Sequence, residues 1–235
     1  MITTIVECLA GAVKAKGLVV VIDVFRSATV GCYLMEKGVG EYLAAETLEQ
    51  ARELTADRGG LLIGEQQGVP LEEFDLGNSP TLLMEEDLSG KTLVHSTNAG
   101  IPGLFACADA DEVITGSFVN AGAVVRYIRS RNPERVTLVS IGTGGDMRAQ
   151  EDMMCAIYIK NELEGYPNSF ETLRKFLAKV DTAAMFYDES RVDAPEGDFE
   201  MCMDIDRYDF ILKGERMEGG GMLMRKVDVE KGEGA

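Results

Sequence analysis

The sequence predicts an α/β fold: a three-layer α/β/α arrangement with a mostly parallel or mixed sheet, forming a single domain over residues 1–235. Three observations predict it. Runs that read as strands alternate with runs that read as helices along most of the chain. The strand runs are apolar throughout, as strands covered by helices on both faces are. No internal repeat, low-complexity linker or domain boundary divides the 235 residues, a length at which one core can be large enough without staples.

The elements follow in order. "LVVVID" (18–23) is a buried strand, and "ATVGCYLMEKG" (28–38) is a helix closed by Gly38. "EYLAA" (41–45) is a short strand. "TLEQARELTADRGG" (47–60) is a helix with Thr47 as N-cap and Gly59 and Gly60 as its stop. "LLIGE" (61–65), "KTLVHS" (91–96), "DEVITG" (111–116) and "RVTLVSIGTG" (135–144) are further strands. Helices are expected from about Ile101, over 120–131 and over 147–165, and two more over 168–180 and 182–190. Past about residue 195 the character changes. The segments 198–212 and 221–229 are expected to add strands at an edge of the sheet, and 230–235 to fray.

Composition excludes several classes. The formal net charge is −17, which argues against nucleic acid, whose binding requires clustered Lys and Arg, and against an anionic membrane surface. No apolar run approaches the roughly 20 residues that span a bilayer. The N-terminal "MITTIVECLAGA" has no basic region and carries Glu7, unlike a secretory signal. The five cysteines form no CxxC pair and there is one histidine, His95, so reduced thiols in a cytoplasmic protein are expected and a zinc site is not.

Four segments share one form, an apolar strand followed at once by polar residues and glycine: "IDVFRSAT", "IGEQQGVPLEEFDLGNSP", "VHSTNAG" and "IGTGGDMRAQED". In a sheet of this class they bring Asp23, Arg26, Glu65, Asp75, Asn78, Ser79, Ser96, Thr97, Asn98 and the Gly142 loop toward one rim. The set holds acids for a hard cation, an arginine for phosphate, and hydroxyl and N–H donors for anion oxygens. Known phosphate motifs are missing: there is no GxxxxGK[ST], and "GTGGDM" does not satisfy GxGxxG. Each residue also has a local reading. Asp23 can cap the following helix, Asp75 and Asn78 can be turn residues, and Glu151 and Asp152 can be first-turn acids favoured by the helix dipole. His95 reads first as a hydrogen-bonded strand histidine.

"VVVIDVFRSATV", "GEQQGVPLEEFDLGNSP", "KTLVHSTNAG", "VITGSFVNAGAVVRYI" and "VSIGTGG…EDMMCAIYI", in this order and spacing, resemble the 2-phosphosulfolactate phosphatase (ComB) family. The resemblance covers roughly residues 18–215 and is most specific at "FDLGNSP" and "GSFVNA". It implies a ComB-like three-layer fold and a Mg²⁺-dependent phosphatase of coenzyme M biosynthesis that converts 2-phosphosulfolactate, a small phosphorylated acid, to sulfolactate and phosphate. It maps the family's motif positions onto Asp23 and Arg26, Gly64 and Glu65, Asp75 to Pro80, Thr97 and Asn98, Asn120, and Glu151 and Asp152.

On that reading Asp23, Glu65 and Asp152 are the expected Mg²⁺ ligands, directly or through water. Asp23, Arg26, Asp75 and Asn98 are the catalytic candidates, with Asp75 as general acid or base. Arg26, Ser27, Asn78, Ser79, Thr97, Asn120, Gly142 and Gly144 are expected to bind phosphate. Two places depart from the family pattern: Gln66 stands where arginine is usual, and the third loop reads "STNAG" where Thr-Thr-Asn-Gly-Thr is usual. An arginine absent from an anion site removes a contact worth about 1.5–3 kcal/mol. The departures therefore motivate a competing reading, a non-catalytic anion-binding or regulatory relative. Oligomeric state stays open, a homodimer being compatible with the sequence.

Overall fold

A computed structural model describes residues 1–230 of the protein. Of the tail expected to fray, residues 231–235 lie outside the described residues. The strands are β1 (Ile2–Glu7), β2 (Gly17–Ile22), β3 (Glu41–Ala44), β4 (Leu61–Gly64), β5 (Thr92–Ser96), β6 (Ala110–Gly116), β7 (Arg135–Ser140), β8 (Phe210–Arg216) and β9 (Met222–Asp228). The helices are α1 (Cys8–Ala12), α2 (Ser27–Glu36), α3 (Leu48–Arg58), α4 (Pro80–Glu85), α5 (Gly100–Ala106), α6 (Ala121–Arg131), α7 (Gln150–Glu164), α8 (Phe170–Leu177) and α9 (Glu196–Cys202).

Local chemistry sets several boundaries where the sequence places them. Thr47 caps α3 by accepting from Gln50 N–H, and Gly59 ends it in the left-handed region at φ 61°. Gly165 ends α7 in the same way. The predicted helix at 182–190 is instead a 3₁₀ run, Asp181–Tyr187. Its buried residues Ala183 and Phe186 are three apart, the repeat of a 3₁₀ rather than an α turn. β1 was not anticipated. It is a β-branched edge strand, partly exposed, paired in parallel with β7 from Ile2–Arg135 to Glu7–Ser140.

The strands form one sheet in the order β1-β7-β2-β6-β8-β9-β3-β5-β4. β1, β7, β2 and β6 pair in parallel, as do β3, β5 and β4. The β8–β9 hairpin joins the two groups, antiparallel to β6 on one side and to β3 on the other. This corrects the expectation that the C-terminal strands lie at an edge. Ile211 and Leu212 enter different cores on opposite faces of the sheet, as the side chains of a central strand do. Residues 198–202 of the segment expected as strand instead end α9.

Strand alternation divides the core. Val19 and Val21 of β2 face one cluster with α2 and α5, while Leu18, Val20 and Ile22 face another with α6 and α7. α3 covers a third, smaller cluster with Leu43, Leu62 and Val94. The first cluster also holds Tyr42 of β3, Ile63 of β4 and Leu93 of β5, so both halves of the sheet wrap around it. β2 and β5 are five strand steps apart, about 24 Å along a flat sheet. Yet a Cβ on Gly100, just after β5, would lie 2.4 Å from Asp23 Oδ2, just after β2. The sheet is therefore strongly curled, and its curl brings distant strand ends together.

Candidate active site

The carboxyl ends of β2, β4, β5 and β7 converge on one cavity of about 440 Å³. Its lining includes Asp23 and Arg26 after β2, Glu65 after β4, Asn98 after β5, Gly142 and Gly144 after β7, Glu151 and Asp152 from the first turn of α7, and Asn78 before α4. All four segments that share the strand-then-glycine form meet here, the one after β4 through Glu65 and Asn78.

Among the described residues five acids line this space: Asp23, Glu65, Glu151, Asp152 and Asp181. Asp23 Oδ1 accepts from Ser27 N–H at 3.2 Å, so it caps the start of α2 and lines the cavity at once. Burial first, and then the Glu65 carboxylate, push its pKa up to about 7, against the opposing Ser27 N–H. Asp152 ties two strand ends together, accepting from Val24 N–H at 2.8 Å and Gly142 N–H at 2.9 Å. Its pKa is nevertheless raised well above the carboxylate range, by burial and then by Glu151 and Asp23. Burial also raises Glu151, against the Thr182 hydroxyl that donates to Oε2 at 2.6 Å. Glu65 Oε1 accepts from Asn98 N–H at 3.0 Å and Oε2 from Gly68 N–H at 2.5 Å.

Two arginines line the same cavity. Arg26 is 4% exposed, and its Nη1 donates to Asp198 Oδ2 at 2.6 Å and to the Asp193 carbonyl at 2.7 Å. Nε and Nη2 make no hydrogen bond among the described residues. Asp198 is fully buried and also accepts from Ser79 Oγ at 2.7 Å and Thr81 N–H at 3.0 Å. Arg191 pairs with Asp193 through Nε and Nη2 and donates to Gly68 carbonyl. It thus bridges the loop after β4 and the segment before α9.

Other expected site residues stand elsewhere. Asp75 is exposed and outside the cavity lining. It accepts from Leu62 N–H at 2.7 Å, pinning its loop to β4, which corrects its assignment as general acid or base. Asn120 is fully buried, accepting from Ser117 N–H and donating to the Phe210 carbonyl, so it shapes the start of α6 rather than meeting a ligand. Ser79 caps α4 and holds Asp198. Thr97 accepts from Ile101 N–H at the start of α5. Ser27 contributes through its N–H to Asp23. None of these five lines the cavity. In the glycine loop, Gly142 and Thr143 N–H groups are engaged by Asp152 and the Met147 carbonyl. Those of Gly144 and Gly145 make no hydrogen bond among the described residues.

The donor set can be tested against a hard cation. Among the described residues no three Asp, Glu, His or Cys side chains form a chelating cluster. Mg²⁺ typically keeps several waters and takes one or two carboxylates. Asp23 and Asp152 fit that mode: both are oxygen donors, both are fixed by backbone N–H groups, and both are raised by burial and then by neighbouring acids, Glu65 and Glu151 on Asp23 and Glu151 and Asp23 on Asp152, a cost that a dication removes.

Sequence reasoning missed Asp198, Arg191 and Thr182. Asp198 and Arg191 lie in "DESRVDAPEGDFE", an acid-rich stretch that follows no apolar strand; only the tertiary fold carries Arg191 to the cavity and Asp198 to Arg26 behind it. Glu151 was legible as the neighbour of Asp152.

Comparison with known proteins gives a consistent answer. A family profile described as 2-phosphosulpholactate phosphatase matches residues 4–216. A probable 2-phosphosulfolactate phosphatase of Caldanaerobacter subterraneus subsp. tengcongensis is 32% identical over 209 residues, covering 83% of this chain and 86% of that protein. One from Clostridium perfringens is 34% identical over 157 residues, 65% of this chain and 62% of the relative, less than two thirds of its length. One from Thermotoga maritima is 32% identical over 171 residues, 68% and 74% of the two chains.

Proposed function

The chain belongs to the 2-phosphosulpholactate phosphatase family, and we propose that it is a Mg²⁺-dependent phosphatase acting on 2-phosphosulfolactate or a related 2-phospho acid. The observation that carries this reading is the shared cavity, where five carboxylates, three of them held above the usual carboxylate range, face two arginines. When bound, Mg²⁺ would supply positive charge to the phosphoryl oxygens and the leaving oxygen. Asp23 and Asp152 would hold it, with Glu65 reached through water.

The protein's own groups divide the remaining work. Arg26 presents its unengaged N–H groups to the phosphate, held in place by Asp198. Asn98, Asn78 and the Gly144 and Gly145 N–H groups are the neutral donors for its oxygens. Hydrolysis adds water across the P–O bond: the water oxygen bonds to phosphorus, the ester oxygen leaves, and one proton must reach it. Asp75 does not line the cavity and its carboxylate is held by Leu62 N–H. With Asp23 and Asp152 given to the metal, Glu151, which lines the cavity and is raised by burial, is the carboxyl group to carry that proton. The acid end of the substrate falls to Arg191, which supplies the cationic contact that Gln66 does not.

Phosphate release from a panel of 2-phospho acids, with Mg²⁺ and with EDTA, tests the reading. Release that requires the metal and favours substrates with a second anionic group is expected. Tight binding of the same compounds without release would identify a non-catalytic anion-binding relative instead.

A further inference from the structure

His95 is the only histidine in the chain, and it is completely buried beside the cavity rather than in it. Both ring nitrogens have partners. Nδ1 lies 2.7 Å from the Tyr42 hydroxyl and Nε2 lies 3.0 Å from Asn78 Oδ1. Asn78, 4% exposed, is the member of this row that lines the cavity. Tyr42 is buried in the core formed with α2 and α5, its ring 5.9 Å from that of His95.

Proton count fixes the direction of the row. Burial lowers the His95 pKa to about 3, so the ring is neutral and carries one N–H. A carbonyl oxygen cannot donate, so Asn78 Oδ1 requires that hydrogen on Nε2. Nδ1 is then an acceptor, and the Tyr42 hydroxyl, which has no other hydrogen bond among the described residues, donates to it. With Oδ1 engaged by His95, the amide NH₂ is the half of Asn78 left for the cavity. The reverse row would turn the Asn78 carbonyl toward a space already lined by five carboxylates.

We propose that Tyr42 and His95 are positioning residues that hold Asn78 with its NH₂ group toward the cavity, as a fixed donor to the oxygens of a bound phosphate. The identity of the anion rests on the phosphatase reading; the order of the row does not. Tyr42 acts through the tautomer of His95, and His95 acts through the rotamer of Asn78. Neither touches the ligand. The arrangement gives a neutral donor whose orientation cannot flip without a coordinated change at three buried groups.

Nitrogen-15 NMR of the labelled protein reads this directly, because one histidine gives one set of ring signals. The wild type is expected to show hydrogen on Nε2 and none on Nδ1. Tyr42→Phe removes a hydroxyl and little else. It should introduce the other tautomer and weaken inorganic phosphate binding in the presence of Mg²⁺ about tenfold. The KM for a phosphate ester should rise with it more than kcat falls. In an Asn78→Ala background, Tyr42→Phe should add nothing to either loss. Hydrogen on Nδ1 in the wild type would overturn the proposal. So would a Tyr42→Phe loss of equal size in both backgrounds, the sign of a packing effect. If no ester is hydrolysed at all, the phosphatase reading fails, and the tautomer and phosphate titration still decide the row.

Discussion

Arg26 Nη1 and Asp198 Oδ2 stand 2.6 Å apart with both side chains almost wholly shielded from water. The pair links the first predicted strand end to a helix 172 residues later in the chain. Removing one partner from such a pair leaves an uncompensated buried charge, at a cost of about 3–5 kcal/mol. Asp198→Ala also takes the acceptor from Ser79 Oγ and Thr81 N–H. It should lower Tm by roughly 10 °C, measured by calorimetry. An unchanged Tm would show that the pair contributes no net stability.

Arg26→Lys keeps the charge but not the planar fork. A single ammonium cannot occupy the Asp193 carbonyl and Asp198 and still present N–H groups to a phosphate. The expected result is a loss in kcat/KM of about a hundredfold, with a smaller change in Tm than Asp198→Ala gives. Steady-state kinetics beside thermal melts separate the two effects.

Asp23→Asn should trade activity for stability. The neutral amide no longer repels Glu65 and Glu151, the acids that, after burial, raise Asp23. The variant is expected to melt higher than the wild type without metal, and to lose at least about a hundredfold in turnover. A variant that turns over normally would place Asp23 outside the chemistry.

Stability should fall with rising pH in EDTA. The folded pKa of Asp23 is raised from 3.8 to about 7, so between those values the folded state binds more protons than the unfolded one. The stabilising difference is complete below the unfolded pKa and is lost as pH rises through the folded pKa. Asp152 and Glu151 shift in the same direction. Melts at about pH 5 and about pH 8 should therefore differ by several degrees, at about 2–4 °C per kcal/mol for a chain of this size. Millimolar Mg²⁺ should flatten the slope. A Tm that rises across this window in EDTA would contradict the repulsion.

Gly100→Ala probes the curl of the sheet. The new Cβ would meet Asp23 Oδ2 at 2.4 Å and Ser27 Oγ at 2.9 Å, so the carboxylate or the start of α5 must move. A displacement of about 1 Å at a reacting centre costs on the order of a hundredfold. Turnover should fall by about that factor while far-UV circular dichroism stays unchanged.

Much of this site was legible in the sequence, for a physical reason. Asp23, Glu65, Asn98 and Gly142 follow strands that end abruptly in polar residues and glycine, and in a parallel sheet such ends share one rim. Asp75 and Asn120 were legible as polar loop residues but not as bonded inward to Leu62 and Phe210; a local pattern cannot say which way a side chain turns. Asp198 and Arg191 carry no local signal, because their role comes from a contact more than a hundred residues away. The central place of β8 and β9 was hidden similarly. Chain order suggests an edge, while burial on both faces of the sheet, as at Ile211 and Leu212, decides for the middle.

The hairpin of β8 and β9 has a consequence for how the protein comes into being. The strands that carry Asp23 and Gly142 and those that carry Glu65 and Asn98 are each complete long before residue 210 is synthesised. Among the described residues nothing else in the sheet joins the two groups. On the ribosome, each can pair internally, but the cavity between them can close only after residues 210–228 have emerged. Closing contacts so distant in sequence is slow, since loop-closure entropy is lost before the contacts reward it. The nascent chain thus carries two open sheet edges, at β6 and β3, until late in synthesis, and these are the surfaces a chaperone would have to shield.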